Sequence, residues 1–112
     1  MTLFEKIANH EIPAKIVHED DDLVAFHDIN PQAPHHIIII PRRPIASINE
    51  VEPNDAELIG KMVILAKELA QRLGVSDSGY RLVFNCGAQG GQTVEHVHLH
   101  LIGGRQLHWP PG

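Results

Sequence analysis

Cysteine is nearly absent from this chain. Cys86 is the only one, so no disulfide can close within it, and a reducing, cytoplasmic setting is expected. Aromatic residues make up only 4%, which leaves isoleucine, leucine and valine to build most of the core. No apolar run approaches the ~20 residues of a membrane span. The N-terminus lacks the charged-then-apolar order of a signal peptide, so no membrane partner is expected. Positive charge is in deficit. Nine Lys and Arg stand against 14 Asp and Glu, a net charge of −5, and this argues against a nucleic-acid partner, whose phosphates need a basic face to displace counterions. No repeat or linker interrupts the 112 residues, and the length suits a single domain over 1–112.

What is present is strongly patterned. Thr2 and Glu5 have the spacing of a capping box, and Leu3, Phe4 and Ile7 share one face of a short helix over about residues 3–9. Lys15 to Glu19 and Leu23 to His27 are expected strands, joined as a hairpin by Asp20-Asp21-Asp22. Two close prolines make Asn30 to Pro34 a loop. His36 to Ile40 is a strand stopped by Pro41, and its unbroken isoleucines predict burial on both faces. Arg42 to Val51 is a connection with room for one helical turn, and its paired arginines suit a solvated loop better than a phosphate clamp. The main helix begins near Pro53 or Asn54 and ends at Gly74. Leu58, Met62, Leu65, Leu69 and Leu73 form its apolar stripe, with Glu57–Lys61 and Glu68–Arg72 as pairs four apart. Tyr80 to Asn85 and Val94 to Ile102 are the last two expected strands. Hairpins with one long helix define an α+β fold with a largely antiparallel sheet.

Histidine is the residue in excess, with nine in the chain. Three fall in His96-Val97-His98-Leu99-His100-Leu101-Ile102. Alternate side chains of a strand share a face, so the three histidines project together, roughly 6.6 Å apart, and Val97, Leu99 and Leu101 face the core. A plain solvent-facing stripe would use Thr, Lys or Glu more simply. Two chemistries fit the trio. One is a zinc site completed by His36, His27 or Asp28. The other is nucleophilic attack on phosphorus by neutral imidazole, whose ordinary pKa of about 6.5 leaves a lone pair free at pH 7. The adjoining segment Asn85-Cys86-Gly87-Ala88-Gln89-Gly90-Gly91-Gln92-Thr93 favours the second. Glycines allow close backbone approach, and N–H groups with neutral side chains suit a phosphate better than a metal. Glu95 has the wrong parity to share the histidine face. Cys86 would need an activating base to act as a nucleophile. His10, His18, His27 and His35 read as surface or local structural residues.

The His96–Ile102 segment resembles the His-φ-His-φ-His-φ-φ signature of the histidine triad superfamily. The similarity runs from Phe4 to Gly112 and includes Glu11-Ile12-Pro13-Ala14-Lys15, Ala25-Phe26-His27-Asp28-Ile29, Pro31-Gln32-Ala33-Pro34, Gly90-Gly91-Gln92, Gly103-Gly104-Arg105 and His108-Trp109-Pro110-Pro111-Gly112. This combination resembles the Hint branch, the purine nucleoside phosphoramidases. The resemblance implies a five-stranded, mainly antiparallel sheet with one long and one short helix, two such sheets joining in a homodimer. It implies hydrolysis of P–N bonds in adenosine 5′-phosphoramidate and aminoacyl- or lysyl-adenylate-type compounds, with no cofactor and no metal. The ligand would be a purine nucleoside monophosphate or phosphoramidate. His98 would be the nucleophile and His100 would bind the phosphoryl oxygens, with His96 and His36 completing the imidazole network. Asn85, Gly91 and Thr93 would contact the phosphate or leaving group, and Gln92 and Leu99 would adjoin the substrate. Asp28, with the Ile29 backbone, would hold the ribose hydroxyls. Phe4, Ile7, Ile12, Phe26 and Ile38 would line the base pocket, and Trp109 would reach the partner's site. Three residue-level alternatives stay open: Asp28 also suits an Asx turn, the three isoleucines also suit the core, and His36 also suits a satisfied strand-end histidine. Thr93 stands where many relatives carry serine, which keeps the hydroxyl and restricts its rotamer.

Overall fold

The isoleucine run lies at the centre of a five-stranded sheet. The structure is a computed structural model that describes Met1–Gly112. Strands β1 (Ile16–Glu19), β2 (Leu23–His27), β3 (His35–Pro41), β4 (Tyr80–Phe84) and β5 (Leu99–Gly103) stand in the order β1-β2-β3-β5-β4, every neighbouring pair antiparallel. Helix α1 (Leu3–Ala8) covers one face and α2 (Ala56–Leu73) the other. Both ends of α1 follow from sequence. The Thr2 hydroxyl accepts the Glu5 N–H, the Glu5 carboxylate accepts the Thr2 N–H, and the last residue precedes Asn9.

Because successive side chains of β3 alternate, its isoleucines serve two cores. Ile37 and Ile39 pack with Met62, Leu65, Leu69, Leu99 and Leu101 beneath α2. Ile38 and Ile40 pack with Phe4, Ile7, Val24 and Phe26 beneath α1. Burying each such side chain contributes about 1.5–3 kcal/mol. The α2 stripe is as expected, with Met62, Leu65 and Leu69 buried and Leu58 and Leu73 packed at its ends. The helix starts slightly later than expected because Pro53–Asp55 forms a 3-10 turn, and a second such turn occupies Ile48–Glu50. Gly74 ends α2 at φ 76°, the left-handed conformation that favours glycine. Of the expected helix pairs, Lys61 lies 3.9 Å from Glu57 but 3.1 Å from Asp22, and Glu68–Arg72 does not form an ion pair.

One boundary is corrected. The expected last strand, Val94 to Ile102, enters the sheet only at Leu99. Register explains this. Ile39 pairs with Leu99, so Val97 would fall opposite Pro41, which has no N–H to give to a ladder. The Val97 N–H instead donates to the Ile45 carbonyl at 2.6 Å, and the chain from Val94 to His98 runs outside the ladder. The paired arginines, expected as a solvated loop pair, instead brace the fold. Arg42 donates to the Asp20 and Ala8 carbonyls and to Glu19, and Arg43 pairs with Asp55.

Candidate active site

Alternation survives where the ladder does not. His96, His98 and His100 all face the α1 side, while Leu99 and Leu101 lie in the α2 core. The Phe4 ring meets His98 edge-on at 4.9 Å and His96 at 6.0 Å, and His98 meets His100 at 5.0 Å. On β3, His36 sits diagonally from His100, which pairs with Ile38. The four imidazoles thus form one cluster on a single face.

Their hydrogen bonds fix where each proton sits, because a carbonyl can only accept and a backbone N–H can only donate. His98 Nδ1 is 2.7 Å from the His96 carbonyl oxygen and must carry the proton, which leaves the Nε2 lone pair free. His96 Nε2 donates to the Pro41 carbonyl at 2.7 Å, so its Nδ1 accepts, and the Thr2 hydroxyl lies there at 2.9 Å. His36 Nδ1 accepts the Gln32 N–H at 3.0 Å, so its Nε2 bears the proton and donates to His100 Nδ1 at 2.8 Å. His100 therefore presents Nε2–H as a donor. One ring of the cluster offers a lone pair and its neighbour offers a proton.

Burial favours these neutral forms. It pushes the His98 and His96 pKa values below the usual 6.5, against the opposing pull of the carbonyls they bond. Burial also lowers His36, outweighing the charge of Asp28. His100 is lowered most, to about 4, by burial and then by His98 and His36 beside it.

Asp28, His36 and His100 bring one potential ligand atom each within 4.8 Å. The donor set does not fit a metal. A neutral imidazole has one lone pair, and that of His36 is occupied by the Gln32 N–H, so its Nε2 holds a proton where a metal would need an electron pair. The triplet is a hydrogen-bonded relay. His27, the other expected zinc ligand, is exposed and outside it.

The other expected site residues are distributed as follows. Asp28 makes the Asx turn, its Oδ1 accepting the Asn30 N–H at 2.7 Å, while its Oδ2 turns to the cluster and lies 3.4 Å from His36 Nε2. Ile29 beside it is fully exposed. Phe4, Ile7, Phe26 and Ile38 are 3–7% exposed and form the floor of the cluster, with Ile12 half-buried against them. Asn85 follows Phe84, which pairs with Leu99, and so ends β4 level with the histidine segment. Gly91 and Thr93 are exposed. Gln92 braces the loop, its amide donating to the Ala46 and Val94 carbonyls and accepting the Gly87 N–H. Trp109 is exposed on the C-terminal tail. Cys86 is half-buried and Glu95 exposed, and neither joins the cluster. Sequence reasoning missed Thr2 and Gln32 as partners of the histidines. The capping-box spacing marked Thr2 for a different job, and Gln32 contributes only its backbone.

A sheet of this order with its histidines on one face defines a class, and comparison with known proteins agrees. The chain belongs to the HIT domain family, whose domain matches residues 9–107. It is 51% identical over 111 residues to the uncharacterized HIT-like protein slr1234 of Synechocystis, covering 99% of this chain and 96% of that protein. The crystal structure of a HIT family hydrolase from Legionella pneumophila Philadelphia 1 superposes with a TM-score of 0.99 at 57% identity, covering all of both chains. The histidine triad nucleotide-binding protein of Candida albicans is 30% identical with a TM-score of 0.81, covering 90% of this chain and 73% of that one.

Proposed function

We propose that this protein is a hydrolase that cleaves the P–N bond of purine nucleoside 5′-phosphoramidates, of the adenosine phosphoramidate and aminoacyl-adenylate type, through a nucleotidyl intermediate on His98. The observation that carries the reading is the bond from His98 Nδ1–H to the His96 carbonyl, which aims a free Nε2 lone pair out of a buried ring. Its relatives include a named hydrolase and a named nucleotide-binding protein, both consistent with this chemistry.

In the first step His98 Nε2 bonds to phosphorus as the P–N bond to the amine breaks. The amine departs with the bonding pair and takes up a proton from the site. His100 Nε2–H, backed by His36, donates to a phosphoryl oxygen, where preorganised donors lower the barrier most. The backbone of Asn85 to Thr93, with the Asn85 amide and Thr93 hydroxyl, takes the remaining oxygens and the leaving group. Water then attacks phosphorus as the P–N pair returns to His98 Nε2; the water gives up a proton that replaces the one the amine took, and the nucleoside monophosphate leaves. The Asp28 carboxylate holds the ribose hydroxyls. The purine lies at the margin of the Phe4, Ile7, Phe26 and Ile38 floor, beside Ile12 and the Ile29 backbone. The protein works as a homodimer in which two sheets join, and Trp109 of one copy reaches the other's site.

Rapid-quench intact-mass measurement with adenosine 5′-phosphoramidate is the test. A transient adduct of one nucleotidyl group that maps to His98 is expected. Turnover with no adduct would defeat the covalent route, and tight monophosphate binding with no turnover would make the protein a nucleotide-binding scaffold.

A further inference from the structure

The nucleophile's carbonyl partner sits in a stretch that the sheet does not hold. From Val94 to His98 the chain runs outside the ladder, and its backbone anchor to another element is the Val97 N–H bond to Ile45. Val94 is held by the Gln92 amide and the α1 core, and the hold nearest the nucleophile is the His96 side chain. That ring is wholly buried and bonded at both nitrogens, to Pro41 at the end of β3 and to the Thr2 hydroxyl ahead of α1. Thr2 in turn is locked: its hydroxyl accepts the Glu5 N–H at 3.0 Å, its N–H donates to the Glu5 carboxylate at 2.9 Å, and its carbonyl accepts the Lys6 N–H. The hydroxyl, already an acceptor from Glu5, is left to donate to His96 Nδ1. Phe4, two residues on, closes over both His96 and His98.

We propose that Thr2 is a positioning residue for the reaction: its hydroxyl pins the His96 ring, and through it the His96 carbonyl that holds His98 with Nε2 unprotonated and correctly aimed. Residues 94 positions apart are thereby coupled into one device, from a cap hydroxyl to a ring, a carbonyl and the nucleophile. Threonine suits the task because it accepts from a backbone N–H and donates with the same oxygen. Valine has its shape and neither capacity, and leaves a buried imidazole nitrogen without a partner.

The proposal rests on the phosphoramidase reading for its kinetics but not for its structural readout. The experiment compares Thr2→Val, Thr2→Ser and Glu5→Ala with the wild type by 15N chemical shifts of the histidine rings and by steady-state kinetics on adenosine 5′-phosphoramidate. In Thr2→Val, His98 is expected to lose its single Nδ1-protonated form, with kcat down about 10- to 100-fold and KM within about twofold, the signature of a misaimed nucleophile. Thr2→Ser restores both. Glu5→Ala breaks the other half of the capping box, so it lowers Tm as Thr2→Val does, but it keeps the hydroxyl and its bond to His96, so its effect on the His98 shifts and on kcat is expected to be much smaller than that of Thr2→Val. Unchanged His98 shifts in Thr2→Val overturn the proposal. So does an equal disturbance in Glu5→Ala, which would assign the effect to fraying of α1. If the wild type turns over no phosphoramidate, the function reading fails while the ring shifts still decide the role of Thr2.

Discussion

The proposed reaction asks a single imidazole to be a nucleophile, and its surroundings decide whether it can. His98 has no acidic partner on its ring. Its Nδ1–H is held by a carbonyl, which orients the ring without adding charge, and its Nε2 stays neutral because burial disfavours the protonated form. His98→Ala is expected to remove the covalent adduct and cut turnover by about 10^4-fold or more, with nucleoside monophosphate affinity, measured by calorimetry, changed by only a few fold. The same burial sets the pH behaviour. All four histidines of the cluster have lowered pKa values, so kcat/KM should hold its plateau through pH 6.5 and fall only at more acid pH. For stability the sign is fixed by linkage. The unfolded chain binds protons at these histidines near pH 6.5 while the native rings resist until lower pH, with His100 at about 4. Their contribution is therefore complete above about pH 6.5 and is lost as pH falls below it. Urea midpoints at pH 7.5 and 5.5 should show the loss, and His100→Gln should reduce the difference between them.

At the scale of elements, the sheet places the histidines and the loops finish the site. Period-two alternation made the facing of His96, His98 and His100 legible from sequence, and the isoleucine run made the double burial of β3 legible too. Alternation reports which face a side chain takes and not whether its backbone is paired, which is why the last strand is shorter than its pattern. The proline that stops β3 held the information, but only the β3–β5 register shows what it stops opposite. The Thr2–His96 and Gln32–His36 contacts were not legible at all, since they join segments that only the fold brings together. Two substitutions separate the roles of core and loop. Ile39→Ala removes a wholly buried side chain at the centre of the α2 core and should cost about 2–5 kcal/mol in urea unfolding, with the site's kinetics little changed per folded molecule. Gly90→Ala does the reverse. A methyl there would sit 2.4 Å from the Cys86 carbonyl oxygen, so the loop backbone must move, and kcat/KM should fall about tenfold with little change in stability.

For the molecule as a whole, the open question is how the sheet ends. Its order leaves β1 and β4 as edges. Strand β1 is short and bulged between Ile16 and His18, features that discourage pairing, while β4 is regular over five residues and half-buried. The C-terminal tail is tied to that same edge. Arg81 of β4 donates to the His108 carbonyl, and Arg105 donates to the Gln32 carbonyl in the loop beside His36. A recess of about 570 Å³ runs between β4 and the tail, lined by Tyr80, Arg81, Arg105 and Leu107, with His35 but none of the four clustered histidines in its wall. The tail with Trp109 therefore leaves the protein at the edge where a second sheet would join, the placement needed if it is to serve the other copy's site. Co-expression tests this directly. One chain carries His98→Ala with an intact tail, the other carries an intact His98 with residues 106–112 removed, and different affinity tags isolate the mixed dimer. Neither altered chain is expected to be fully active alone: the first lacks the nucleophile and the second lacks the tail in trans. The hybrid unites an intact His98 with a partner's tail in one of its two sites and should regain turnover there at a wild-type KM. A hybrid no better than the tail-deleted homodimer would place the tail's action on its own chain, and a wild-type protein that elutes with the mass of one chain would remove the dimer from the account.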